Sequence, residues 1–342
     1  MRGLGKLTSV FMALGMVSCS KVEVSTPVQE QRISYEITER KAAVAFPKDY
    51  TFKSTAYFLG DDTHAWDSHK AYASIFYKNS GTRRVELNDV EVKYNGDFWS
   101  TEEEFYWPSY GSLTFFSYRQ PLVKPVISTE GVAFSSWNVS DHRDKALSDQ
   151  TILVADIAKD KRRNENYASL SGVPTHFKHK LSKFTVKAAV SPLAEGDPVI
   201  KITSLTLKNI YLCGDYSRGG YSDDGWSGYK DLSAGYEVVS TPVTLTDDLQ
   251  VMGAEMVMIP QMLSDEAAVH LEYTMTVNGL SEDKSVDLLF VNLFRTGEWD
   301  MGKSYIYTIY VGVGQYPIDF DGEVGNWDVA DGSDVIVGGQ IS

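Results

Sequence analysis

Six histidines, two cysteines and 46 acidic residues give this chain the material for metal or acid–base chemistry, so their spacing comes first. A metal site needs imidazoles, thiolates or carboxylates that converge on one point. His176 and His179 fall in one expected strand, but three residues apart they project from opposite faces and cannot share an ion. His64 and His69, in His-Ala-Trp-Asp-Ser-His, could chelate on geometric grounds, but the polar run reads as a solvated loop. Asp319, Asp321 and Glu323 in Asp-Phe-Asp-Gly-Glu resemble half of a calcium loop. The distal bidentate Glu is missing, however, and the segment follows Pro317, so a strand leading to a turn is expected. Asp215, with Asp223 and Asp224 in a Gly/Tyr/Ser loop, is read the same way. No Gly-x-Ser-x-Gly elbow, phosphate-binding glycine loop or His-Glu-x-x-His helix is present. Carboxylate pairs for glycoside hydrolysis converge only in three dimensions, so a secreted hydrolase stays open as a third reading. Trp66, Trp226 and Tyr229 look exposed and could stack on sugar rings, which makes a surface glycan-binding lipoprotein the alternative. Packing against a satellite core or a hinge is the plainer reading of those rings. No catalytic residue, cofactor or metal is expected.

The elements that would carry these residues are strands. Val90, Val92 and Tyr94 alternate with Glu91 and Lys93 before Asn95-Gly96, which predicts a hairpin with a type I′ turn. Leu113–Tyr118 and Ile152–Ala155 are apolar runs, as in strands buried on both faces. Phe184, Val186, Ala188 and Val190 share a face with Ser182, opposite Lys183, Thr185 and Lys187. Ile200 and Ile202 change parity to Leu205 and Leu207 across Thr203-Ser204, which predicts a bulge. Val269, Leu271, Tyr273, Met275 and Val277 alternate with polar residues up to a second Asn-Gly at 278–279. No convincing amphipathic helix is found, and many short strands separated by turns mean a sandwich or barrel. The Arg-, Asn- and Ser-rich stretch 159–172 is the expected boundary between two β-sandwich domains, 46–170 and 171–342.

At 342 residues, about two domains fit the length. Arg2 and Lys6 precede the apolar run Leu7 to Val17, too short for a bilayer span of about twenty residues. The run ends in Met16-Val17-Ser18-Cys19, which resembles a bacterial lipobox. Residues 1–18 are thus expected to be a lipoprotein signal peptide, with Cys19 acylated and the chain held at the outer membrane. The formal charge of −14 repels nucleic acid, which is not expected as a partner. Cys213 reads as a small apolar residue near a strand end, with no disulfide partner in a lipidated Cys19. Residues 19–45, with Pro27 and Glu39-Arg40-Lys41, read as a tether and then a detachable strand.

Several strings, in order, resemble the fimbrillin family, the Mfa-like type V pilus subunits of Bacteroidetes-type bacteria. They include Trp-Pro-Ser-Tyr-Gly-Ser-Leu-Thr-Phe-Phe-Ser-Tyr (107–118), Phe-Lys-His-Lys-Leu-Ser-Lys-Phe-Thr-Val-Lys (177–187) and Met-Val-Met-Ile-Pro-Gln (256–261). Thr-Ile-Leu-Val-Ala (151–155), Glu-Trp-Asp-Met-Gly-Lys-Ser-Tyr-Ile-Tyr-Thr-Ile (298–309) and Ile-Asp-Phe-Asp-Gly-Glu-Val-Gly-Asn-Trp (318–327) complete the set. The resemblance implies two tandem transthyretin-like antiparallel β-sandwich domains in an all-β chain. It implies a structural or accessory fimbrial subunit, exported as a lipoprotein, assembled with other subunits by strand addition, and able to meet a host or bacterial surface ligand. Arg40, and second Arg32, are the implied sites of cleavage by an arginine-specific protease, although Lys41 departs from the pattern. Ile33, Tyr35 and Ile37 would then leave with the first strand, while Val44 and Phe46 begin what remains. The tail after Trp327, with Val335, Val337 and Ile341, is the implied donor strand, and a disordered terminus is the other reading of it.

Overall fold

The computed structural model describes residues 32–37, 46–60, 65–67, 70–73, 75–77, 84–108, 110–162, 172–219, 224–293, 297–313 and 318–327. All of them belong to one compact unit, Gln31–Ser342. The protein is an all-β sandwich, and its one described α-helix is a single turn, Leu147–Gln150. No helix among the described residues is long and apolar enough to cross a membrane.

The first sheet runs in the order Val173–Thr175, Tyr35–Ile37, Trp99–Thr101, Val90–Tyr94, Thr51–Leu59, Ser112–Arg119, Leu153–Ala155 and Phe177–His179. Its two ends are halves of one run, 173–179, interrupted only at His176. The sheet therefore closes on itself through that run, and Tyr35–Ile37 is one stave of the closed wall. A second sheet of four strands, Gly225–Leu232, Tyr211–Gly219, Gly131–Asn138 and Val126–Ser128, completes this half. In the other half, Ser182–Val190 lies parallel to Lys303–Val311, which pairs antiparallel with Ile318–Asn326. Its facing sheet is Tyr236–Val239, Val199–Lys208, Ala268–Val277 and Leu280–Leu289.

Two cores explain the apolar runs. Leu113 and Phe115 project from Ser112–Arg119 into one cluster, and Phe116 and Tyr118 project from the same strand into the other. A strand walled by a core on each side loses polar/apolar alternation, which is why all eight of its residues are buried. The expected bulge appears as a register shift between Ile202 and Ser204. Asn278-Gly279 forms the expected two-residue turn, with φ of 51° and 82° and Val277 opposite Leu280.

The other Asn-Gly differs from its expectation. Tyr94 pairs with Trp99, so the loop spans four residues, and of its residues only Gly96 has positive φ. The Asn95 side-chain oxygen accepts from the amides of Asp97 and Phe98 at 3.0 Å each, an Asx turn that competes with type I′. The stretch 159–172 also begins in a strand, Ala158–Lys161, because Ala158 is buried against Phe115.

Candidate functional site

The site is built around the opening strand, Tyr35–Ile37. It lies parallel to Val173–Thr175, with Tyr35 opposite Val173 and Ile37 opposite Thr175. On its other side Tyr35 pairs antiparallel with Trp99. The Ile33 amide donates to the Phe105 carbonyl and the Val173 amide to the Ser34 carbonyl, each at 2.7 Å. Alternate residues enter one core: Ile33 and Tyr35 are 1% and 2% exposed, and Ile37 packs at its margin. That core also holds Phe52, Leu87, Val92, Trp99, Phe105, Trp107, Leu113 and Phe115. It is distinct from the larger cluster that fills the rest of the molecule.

Tyr35 fills the central position. Its ring meets Phe52 and Phe115 edge-on, with centroids 5.5 and 6.0 Å apart. Burial pushes its hydroxyl far up the titration scale, opposed only by nearby Ser54. The hydroxyl lies outside hydrogen-bonding geometry and has no hydrogen-bond partner among the described residues. Tyr35→Ala is expected to cost about 3–5 kcal/mol of stability, by analogy with other buried rings. Tyr35→Phe removes an unpaired buried hydroxyl and is expected to be neutral or stabilising by up to about 1 kcal/mol. Paired urea melts of the two variants check both.

Phe46 resumes the described chain after the opening strand and caps the same core. It stacks on Phe177 at 4.7 Å and meets Phe52 and Trp99 edge-on. Gly172 lets the strands close up: a Cβ there would fall well inside 3.0 Å of the Ser34 carbonyl and the Tyr35 nitrogen. Nothing in the sequence marks Gly172 out from an ordinary loop glycine, and sequence reasoning missed it.

Of the other sequence-derived positions, Arg32 pairs with Glu104 at 3.0 Å, and its guanidinium lies 5.8 Å from the Phe98 ring. Cys19, Arg40, Val44, His64, His69, Asp223, Val335, Val337 and Ile341 lie outside the described residues. Asp319, Asp321 and Glu323 all lie in the strand Ile318–Asn326. Among the described residues no three His, Cys, Asp or Glu side chains are placed to hold an ion. Cys213 is buried in Tyr211–Gly219, and burial raises its thiol pKa. The sugar-stacking rings need correction. Trp66 is only 5% exposed and packs on Phe116, because its segment folds down onto the larger core. Trp226 is half-buried and donates to the Lys180 carbonyl, leaving Tyr229 as the exposed ring of the three.

Beside the site, Asp224 accepts from Lys180, Arg218 and Tyr216, each at 2.6 Å. Burial works to raise its carboxyl, but Lys180, Tyr216 and Arg218 together hold it below the usual range. Asp156 extends the network to Arg218 and Lys178 at 3.0 and 2.9 Å. His179 closes the same run of chain: its ring stacks on Trp327 at 3.7 Å and meets the Thr151 hydroxyl at 2.9 Å. Burial, then the charges of Lys183, Arg119 and Lys180, pushes it down to about 3. The unfolded chain takes up that proton near pH 6.5, so between pH 6.5 and about 3 it binds more protons than the native state. Stability is therefore expected to fall as pH drops through that window, and His179→Phe to flatten the fall in thermal melts taken at pH 7 and 4.5.

The comparisons with known proteins agree with this architecture. A family model described as fimbrillin-like matches residues 55–327. The match begins after the opening strand and ends at Trp327. No curated protein matches the chain by sequence. Among solved structures, a fimbrial protein from Bacteroides vulgatus superposes with TM-score 0.62 at 13% identity, covering 87% of this chain and 99% of its own. A candidate cell adhesion protein from Bacteroides ovatus gives 0.49 at 16%, covering 88% and 98%. The tip fimbrial protein Mfa3 from Porphyromonas gingivalis, with a C-terminal truncation, gives 0.40 at 10%, covering 84% and 97%. The Bacteroides vulgatus likeness is one of fold.

Proposed function

The chain belongs to the fimbrillin-like family, a family of fimbrial structural proteins rather than enzymes, and from that premise we propose that it is a surface fimbrial subunit assembled by strand exchange. The observation that carries this reading is the opening strand: a short stave between two others, closing a core of its own. Its loss would strip about 1.5–3 kcal/mol of burial for each of Ile33 and Tyr35. It would also remove the Ser34 carbonyl that the Val173 amide donates to and the Ile33 amide that donates to the Phe105 carbonyl. A strand from a neighbouring subunit restores both, its backbone supplying affinity and its alternate side chains register.

The position of the cut matters. Cleavage after Arg40 severs Ile37 from Phe46 and frees the strand, whereas cleavage after Arg32 leaves Ile33, Tyr35 and Ile37 attached to the body. Arg40 is therefore the productive site in this account. Export with an acylated Cys19, anchorage at the outer membrane, the modules 46–170 and 171–342, and donation of Val335, Val337 and Ile341 complete the proposal. The runs 173–179 and 211–232 belong by chain to the second module and by pairing to the first. Adhesion to a host or bacterial surface ligand is a further role in this reading. Treating the purified protein with an arginine-specific protease is the test. The reading expects cleavage at Arg40 and an opened slot that takes up an added strand, the peptide of residues 31–39, in a complex that survives mild denaturant. Cut chains whose slot takes up no added strand count against it.

A further inference from the structure

We infer that the slot left by the opening strand is built for a strand of a different protein, one that brings a bulky ring to its central position, rather than for this chain's own tail. The inference rests on the strand-exchange reading and specifies the partner. The slot takes three alternate side chains, at present Ile33, Tyr35 and Ile37, and the middle one is an aromatic ring enclosed by Phe52 and Phe115. A strand offers its inward residues at every second position, in either direction of insertion. The sequence after Trp327 is Asp-Val-Ala-Asp-Gly-Ser-Asp-Val-Ile-Val-Gly-Gly-Gln-Ile-Ser, which has no aromatic residue. With Val335, Val337 and Gly339 inward, a valine takes the central place, and with Val337, Gly339 and Ile341 inward, a glycine does. The other parity centres Ile336, Gly338 or Gln340. Each register leaves part of the ring's space empty, and a void in a packed core is costly because its lining relaxes only partly. The resident strand is itself imperfect, since Tyr35 buries a hydroxyl that no described residue meets in hydrogen-bonding geometry. A donor carrying phenylalanine would fill the same space without that cost.

The test uses the full chain with a specific protease site placed within residues 38–45, cut in solution. It is then challenged with three labelled peptides: residues 31–39, the same peptide with Tyr35→Val, and residues 328–342. Rebinding of the first peptide is expected. The Tyr35→Val peptide should bind more weakly, on the order of a hundredfold, and the tail peptide no better than that. A tail peptide that matches the native one, or a Tyr35→Val peptide that binds undiminished, overturns the inference while leaving strand exchange standing. Failure of all three, residues 31–39 included, overturns the strand-exchange reading and the inference with it.

Discussion

Gly172→Ala is expected to push the opening strand out of its sheet while the rest of the molecule stays folded. The new Cβ would overlap backbone atoms of Ser34 and Tyr35, which cannot swing aside as a side-chain tip can. Relief requires the two strands to part, and parting them breaks the bond from the Val173 amide to the Ser34 carbonyl. Ile33 and Tyr35 then lose their burial, and the expected loss is about 2–4 kcal/mol. The larger core, fed by Phe184, Tyr307 and Ile309, has no share in that contact. Limited proteolysis between residues 31 and 46 should therefore accelerate well before global unfolding. Gly225→Ala is the control, since a Cβ there meets nothing within 4 Å, and its effect should stay within about 0.5 kcal/mol. Equal behaviour of the two variants would mean that the close approach at Gly172 does not hold the strand.

Asp224→Ala is expected to be the most destabilising single change in the network beside the slot, at about 3–5 kcal/mol. Its carboxylate balances Lys180, whose side chain is 2% exposed, together with Arg218. Burial already lowers the Lys180 pKa, with Asp224 as the largest opposing influence. Removing the acid leaves two enclosed cations facing each other, and the Tyr216 hydroxyl loses its acceptor. Adding Lys180→Met to Asp224→Ala should recover part of the loss, because an apolar side chain in that position needs no counter-charge. Urea midpoints of the single and double variants measure the coupling. A double variant as unstable as the sum of two independent changes would show that the pair does not act as a unit.

The alternating strands were legible in the sequence because one face of each meets a core. Ala268–Val277 kept that pattern as far as Tyr273, Ser182–Val190 departed from it by also burying Thr185 and Ala189, and Asn278-Gly279 supplied the backbone angles its turn needs. Asn95-Gly96 misled because a side-chain oxygen that bonds two nearby amides stabilises a longer loop. Trp66 misled because its polar neighbours describe the loop and not the direction of its ring. The opening strand was legible only as an alternation of Ile33, Tyr35 and Ile37. That it stands between strands rather than at an edge depends on pairing with residues more than sixty positions away, which no local pattern records. The Lys180–Asp224 pair escaped for the same reason: 44 residues separate the partners.

The measurement closest to the central claim is hydrogen exchange at the Val173 amide, before and after the chain is cut between residues 38 and 45. In the intact protein this amide is held by the Ser34 carbonyl and should exchange slowly. After the cut and removal of the leading peptide it should exchange on the timescale of an exposed loop, while the Tyr305 and Ile309 amides of the other half keep their protection. Re-adding residues 31–39 should slow it again. A Val173 amide that stays equally protected through the cut would show that nothing detachable covers it.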